Sequence, residues 1–247
     1  MNAVILAGGE GRRLLPVTLA MPKPLIPLDG TPILEIILLQ LRDAGFSHVT
    51  LSLGYRAEMI QDWFGDGRRL GLRLDYSTEL QPLGTAGPLS LLRRFDGSTL
   101  VMNADVLTDL DFADLWAWHR TTGAAATIAL RTYELDLPYG VVEIDERNRV
   151  VSYQEKPCLR VTINCGIYML EPMVLGYLPD GAPCDMPSLL EAVRADGGRV
   201  EGYCFDGEWI DIGTPAALSR ATEALRAERA RYLRNGTRLP RSGVIGP

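Results

Sequence analysis

Lysine is nearly missing from this 247-residue chain. Of its 25 basic residues only Lys23 and Lys156 are lysine, the rest being arginine, and each of the two is followed by a proline. A compact ammonium and a planar guanidinium fork are not equivalent near a phosphate, so a lysine kept in an arginine-rich chain marks a place for a mobile point charge. Histidine is almost as scarce: His48 and His119 lie far apart. The four cysteines (Cys158, Cys165, Cys184 and Cys204) form no C-x-x-C pair, which excludes a zinc site or a disulfide scaffold and leaves reduced thiols. No apolar run reaches the roughly 18 residues that span a bilayer. The start, Met1-Asn2-Ala3-Val4-Ile5-Leu6, has no basic n-region or cleavage site of a signal peptide. Positive charge is not in excess either, the net charge being −6, so neither nucleic acid nor a membrane is an expected partner. These absences describe a soluble, cytoplasmic protein.

What is present is a core. A chain this long with 47% hydrophobic residues can bury one large α/β domain. Ala3 to Leu6 is a continuous apolar run of the buried parallel-strand kind. Ile33, Ile36, Ile37, Leu41 and Ala44 recur at helical spacing over 32–44, with Gly45 as a stop. Strands at 48–53, 72–76 and 99–103 alternate with helices at 57–64 and 89–95. That alternation predicts a three-layer α/β/α architecture around a mostly parallel, mixed central sheet. Past residue 125 strands dominate (125–132, 140–144, 150–154, 163–170 and 200–205), with helices at 186–195 and 215–234. The expected organisation is one domain over 1–235. Its first half covers about 1–125, its second about 126–220 and a C-terminal helix about 215–235, with a flexible tail at 236–247. The charged face of that last helix reads as solvated surface, a homodimer contact being the alternative.

The first strand runs straight into Leu6-Ala7-Gly8-Gly9-Glu10-Gly11-Arg12-Arg13-Leu14. Glycines there let main-chain N–H groups approach a phosphate or a base edge. The G-x-G-x-x-G spacing fails and no G-K-[S/T] follows, so this is neither a dinucleotide fingerprint nor a P-loop. Arg13 and Lys23 place two cations ten residues apart, with Pro22 and Pro24 bracing the second. The string Leu-Ala-Gly-Gly-Glu-Gly-Arg-Arg-Leu-Leu-Pro-Val-Thr, with Pro-Lys-Pro-Leu after it, resembles the signature of the sugar-1-phosphate nucleotidyltransferases. Pro82-Leu83-Gly84-Thr85-Ala86-Gly87-Pro88, Asn103-Ala104-Asp105, Tyr139-Gly140-Val141-Val142, Glu155-Lys156-Pro157, Asn164-Cys165-Gly166-Ile167-Tyr168 and Trp209-Ile210-Asp211-Ile212-Gly213-Thr214 continue the likeness in family order, over residues 2 to about 220.

The resemblance implies a Rossmann-like, GT-A-type fold. It also implies attack by a sugar 1-phosphate oxygen on the α-phosphorus of a nucleoside triphosphate, with pyrophosphate leaving, and Mg²⁺ as cofactor. Such a transfer needs alignment and charge neutralisation more than a covalent nucleophile. Carried over residue by residue, Arg13 and Lys23 are the catalytic cations. Leu6, Ala7, Gly8, Gly9, Gly11, Gln81, Gly84, Thr85, Gly87 and Asn103 contact the nucleotide. Tyr139, Gly140, Glu155, Lys156 and Asn164 hold the sugar phosphate, and Asp105 and Asp211 hold the metal. Arg12 stands where the family often has threonine and is expected to face solvent. Cys165 reads as a small buried residue, not a reactive thiol.

The loop Leu-Gly-Thr-Ala-Gly-Pro-Leu is most similar to that of mannose- and heptose-1-phosphate guanylyltransferases, which favours GTP. Thymidylyl- or uridylyltransfer to a hexose 1-phosphate is the alternative. A catalytically silent sugar-nucleotide-binding regulatory module is the alternative of another class, opposed by the presence of all five charges. Asp109-Leu110-Asp111 matches the D-x-D of glycosyltransferases, yet Asp111 reads better as the cap of a helix starting near Phe112. The chain ends before any hexapeptide-repeat β-helix, so no acetyltransferase activity is expected.

Overall fold

The structure, a computed structural model, describes residues 1–92 and 94–233. The tail expected at 236–247 lies outside those residues. Four short segments become parallel strands: β1 (Asn2–Ala7), β4 (His48–Leu53), β5 (Arg73–Thr78) and β6 (Thr99–Asn103). The β-rich half adds β8 (Ala126–Asp136), β11 (Cys158–Leu170) and β12 (Val200–Cys204). Together they form one seven-stranded sheet in the order β12-β8-β11-β6-β1-β4-β5. Only β11 runs against its neighbours; β1–β4, β1–β6, β4–β5 and β8–β12 all pair parallel.

Side-chain alternation along β1 assigns Ala3, Ile5 and Ala7 to one core and Val4 to another, one on each face of the sheet. On the first face lie α2 (Ile33–Asp43), α3 (Ala57–Phe64), α4 (Phe112–Thr122) and α6 (Pro215–Ala227). The second is covered by α5 (Met186–Ala195) and 3-10 turns at Gly87–Leu91 and Pro172–Tyr177. The expected three layers are therefore present, the second one thin. Helix α2 is apolar almost all round: Leu34, Leu38 and Leu39 are as buried as Ile33, Ile36 and Ile37. Each such side chain contributes about 1.5–3 kcal/mol by leaving water. Its single buried acid, Glu35, is matched by Arg69 at 3.0 Å and by the Trp63 indole N–H at 3.2 Å.

Four shorter pieces shape the functional edge. The turn between β1 and α2 contains α1 (Val17–Ala20), a 3-10 turn at Lys23–Leu25 and the small hairpin β2 (Pro27–Leu28) and β3 (Thr31–Pro32). Strand β7 (Val106–Thr108) pairs antiparallel with β13 (Trp209–Asp211) across the first face. The pair β9 (Val141–Ile144) and β10 (Val150–Gln154) is a separate antiparallel ribbon beyond the ends of β8 and β11. Last comes α7 (Arg229–Tyr232).

Two expected elements differ. The helix predicted over 89–95 is only the 3-10 turn ending at Leu91, with Leu92 extended; burying Leu89 and Phe95 is what that segment achieves instead. The helix predicted over 215–234 breaks at Glu228 (φ −132°, ψ 51°). The break turns Tyr232 and Leu233 into the core and lets Arg231 reach Asp109 at 2.5 Å. Among the described residues no helix is long and apolar enough to cross a membrane.

Candidate functional site

The carboxyl ends of β1 and β6 open into a cleft. One compartment of about 540 Å³ is lined by Leu6, Gly8, Gly9, Ser52, Glu79, Gly84, Thr85, Asn103 and Asp105. A second, of about 260 Å³, lies against Ala7, Gly11, Arg13, Lys23, Ala104 and Asp105. Ligands of open α/β sheets bind at this edge, where strands end and loops diverge.

Sequence order dictates how the charged groups meet. Because β6 ends at Asn103 and β7 begins at Val106, Asp105 sits in the tight connection between them. The ladder of β13 on β7 sets Asp211 opposite Val106, and Ile212 N–H donates to the Asp105 carbonyl at 2.9 Å. Two aspartates 106 positions apart in sequence thus share one corner. Ile210 and Ile212 are buried while Asp211 faces outward, which resolves the burial problem that its apolar neighbours pose. Partial burial and then the nearby Asp105 charge raise the Asp211 pKa, against the pull of Lys23 and Arg13. Lys23 pairs with Asp105 directly. The Arg13 guanidinium lies along Gly213, where an added Cβ would stand 2.7 Å from Nη2.

The glycine loop is close-fitting for a reason the sequence does not show. A Cβ on Gly8 would run into the Glu79 carboxylate, and one on Gly54 would lie 3.0 Å from Glu79 Oε1. Glu79 Oε2 accepts the Leu83 N–H at 3.0 Å, which fixes the carboxylate over the first compartment. Gly84 has φ 81°, and an added Cβ would meet the Cys184 carbonyl at 2.6 Å. Thr85 lines the same compartment while its hydroxyl accepts the Met186 N–H at 2.8 Å, fastening the loop to α5. Gly87 is buried against 182–184 instead of facing the cleft, and Gln81 is exposed and does not line it. Arg12 is exposed and pairs with Glu10 at 2.6 Å.

Four of the five candidate sugar-phosphate residues, Tyr139, Gly140, Glu155 and Lys156, flank the ribbon, and Asn164 stands apart from them within β11. A Cβ on Gly140 would meet Tyr153 and Glu155, whose Oε2 accepts the Tyr153 hydroxyl at 2.6 Å. Tyr139 and Lys156 are exposed beside them, Lys156 with φ 44°. Asn164 stands at an irregularity of β11: its amide donates to the Tyr168 hydroxyl at 2.8 Å and its carbonyl accepts Gly166 N–H at 2.9 Å. Asn103 packs on Gly166 from the neighbouring strand, so the bulge adjoins the nucleotide edge. The Trp209 indole holds it, donating to the Cys165 carbonyl at 2.8 Å. Cys165 is fully buried, and burial pushes its thiol up to about 12.

Sequence reasoning missed Glu79 and Tyr153. Glu79 had little signal: it follows β5 just ahead of the Pro82–Pro88 loop and, taken alone, looks like a solvated loop acid. Tyr153 had none, because only the β9–β10 register brings it to Gly140.

The profile of the Nucleotidyl transferase family matches residues 2–228. The chain belongs to that family. Among nucleotidyl transferases it is 36% identical, over 95% of its length, to a UTP–glucose-1-phosphate uridylyltransferase of Synechocystis sp.. It is also 36% identical, over 91% of its length, to a mannose-1-phosphate guanylyltransferase of Mycobacterium tuberculosis. It spans 65% and 64% of the lengths of these two relatives. The solved structure of HddC from Yersinia pseudotuberculosis complexed with GMP-PN superposes with a TM-score of 0.68 at 27% identity, over 91% of this chain and 99% of that one. The α/β nucleotidyltransferase fold expected from the sequence is thus the one present.

Proposed function

We propose that this nucleotidyl transferase makes a nucleoside-diphosphate sugar from a nucleoside triphosphate and a sugar 1-phosphate, with GTP and a manno-configured sugar favoured. The observation that carries the choice of base is Glu79, fixed over the first compartment by the Leu83 N–H. An ionised carboxylate only accepts hydrogen bonds. Guanine offers two adjacent donors on one edge, the N1–H and the exocyclic amine. Uracil and thymine offer a single N–H flanked by carbonyls, which a carboxylate repels. The Mycobacterium tuberculosis relative and the guanine-nucleotide complex of HddC support the same choice; the Synechocystis relative supports uridylyl transfer as the second reading.

In this reading the main chain at Leu6, Ala7, Gly8, Gly9 and Gly11 receives the nucleotide, with Gly84, Thr85 and Asn103 opposite. Gln81 and Gly87 drop out as direct contacts in the resting geometry. Arg13 meets the β- and γ-phosphates with its fork. Lys23 lies against the α-phosphate, where charge develops as the sugar phosphate oxygen attacks and pyrophosphate departs. Tyr139, Gly140, Glu155, Lys156 and Asn164 orient the sugar phosphate. A divalent cation, Mg²⁺ in this proposal, supplies neutralisation of phosphate charge when held by Asp105 and Asp211. The donor set fits, since hard oxygens from two converging carboxylates, completed by phosphate oxygens, are what Mg²⁺ takes. The nucleotide substrates suit a cytoplasmic reaction.

The test is Glu79→Gln, whose amide presents one donor and one acceptor. The ratio of kcat/KM for GTP to that for UTP is expected to fall at least about tenfold, the scale of one misread base edge. An unchanged ratio from a variant with native circular dichroism overturns the assignment of the base.

A further inference from the structure

Lys23 has two partners to serve and one ammonium. With Pro22 and Pro24 buried on either side, its stem packs against Gly11, where an added Cβ would lie 3.3 Å from Lys23 Cβ. Its side chain is only 10% exposed, and the one freedom left is at the tip. In the ligand-free cleft that tip pairs with Asp105 Oδ2. Asp105 and Asp211 repel each other across the same corner, a repulsion that Lys23 and Arg13 relieve.

We infer that Lys23 is a displaceable counter-ion that keeps the divalent-cation site closed until nucleotide arrives. The inference rests on the reading of Asp105 as a metal ligand. A carboxylate oxygen cannot satisfy an ammonium and a divalent cation at full strength, because the two cations repel at that separation. Free metal therefore has to displace Lys23 from Asp105, and the carboxylate that the displaced ammonium still has near it, Asp211, belongs to the same corner and is wanted by the same metal. A nucleotide changes the balance. Its α-phosphate, entering the compartment bounded by Gly11, Lys23 and Asp105, offers the ammonium an anionic partner a short swing away. Asp105 is then free for metal. Metal and nucleotide bind cooperatively through the position of one lysine, in addition to any direct metal–phosphate bond. This use explains why a lysine stands here in a chain whose other cations, Lys156 apart, are all arginine. A guanidinium fork grips a carboxylate through two bonds and would be harder to release.

Manganese(II) titrations followed by electron paramagnetic resonance test this on the full chain without nucleotide, so that catalysis plays no part in the readout. Lys23→Met keeps the stem and removes the charge. It is expected to tighten Mn²⁺ binding about fivefold or more, the lower end of usual coupling factors. Lys23→Arg, which keeps the charge, is expected not to tighten it. Lys23→Met should also reduce the factor by which GTP improves Mn²⁺ affinity. Mn²⁺ affinity in Lys23→Met that equals or falls below wild type, with near-ultraviolet circular dichroism native, overturns the inference. Lys23→Gln, tested the same way, decides the matter if the methionine variant misfolds. Adding Asp105→Asn to Lys23→Met and titrating without nucleotide separates the two levels: undiminished Mn²⁺ binding there refutes the metal reading itself, whereas its loss leaves that reading standing whatever Lys23 does.

Discussion

Asp211 illustrates how one residue can be kept at the expense of stability. Its pKa is raised first by burial and then by Asp105. With no cation bound, the ionised carboxylate is less favourable in the folded chain than in the unfolded one, and that penalty grows as pH rises through its pKa. Asp211→Asn removes it at constant shape. In EDTA the variant is expected to melt at the same temperature as wild type or higher. With Mg²⁺ its kcat/KM should fall about a hundredfold or more, the scale of a lost metal ligand. A clear drop in melting temperature in EDTA contradicts the account. At this scale the charged residues were legible, because Arg13, Lys23, Asp105 and Asp211 sit in motifs whose spacing is distinctive. Glu79 was not, since an isolated acid in a loop looks like any solvated one until Gly8 and Gly54 are seen pressed against it.

Elements place these residues, and two of the placements can be tested through stability. Gly84 combines φ 81° with the Cys184 carbonyl 2.6 Å from any added Cβ. Gly84→Ala is therefore expected to destabilise by about 1–3 kcal/mol in urea unfolding and to raise KM for the nucleotide by loosening the loop from α5. An alanine variant with wild-type stability and KM contradicts that geometry. Asp111, read from the sequence as a helix cap, accepts the N–H groups of Ala113 at 2.9 Å and Asp114 at 3.1 Å. Asp111→Ala should cost about 1 kcal/mol and leave base preference untouched; a change in preference would mean that the D-x-D letters carry chemistry. Strands β1, β4 and β6 were plain in the sequence as apolar runs. The break in the last helix was not, because it depends on Arg231 finding Asp109 across 122 positions.

At the scale of the whole molecule, the far edge of the sheet carries its own titrating group. His119 is buried on α4, with Nδ1 2.7 Å from the Thr127 hydroxyl and Nε2 3.2 Å from Glu171 Oε1. Burial lowers its pKa, with Glu171 opposing. The unfolded chain takes up a proton on this side chain near pH ~6.5, while the folded chain resists it. Stability is therefore held above about pH 6.5 and lost as pH falls below it. Melting temperatures taken between pH 8 and 5.5 should decline over the acidic part of that range, and His119→Gln should flatten the decline. Stability that rises on acidification contradicts the burial of a neutral imidazole. The parallel half of the sheet followed from alternating strands and helices. The order β12-β8-β11-β6 did not, because it is fixed by long-range pairing that no local pattern encodes.

The central claim is that this cleft joins a nucleotide to a sugar 1-phosphate. Its most direct test is phosphate release, in the presence of Mg²⁺ and inorganic pyrophosphatase, from GTP, UTP, dTTP, CTP or ATP, each with and without mannose 1-phosphate and other sugar 1-phosphates. The account predicts release that requires both substrates and is fastest with GTP and a manno-configured sugar phosphate. No release with any pair, from folded protein that still binds GTP, would contradict it.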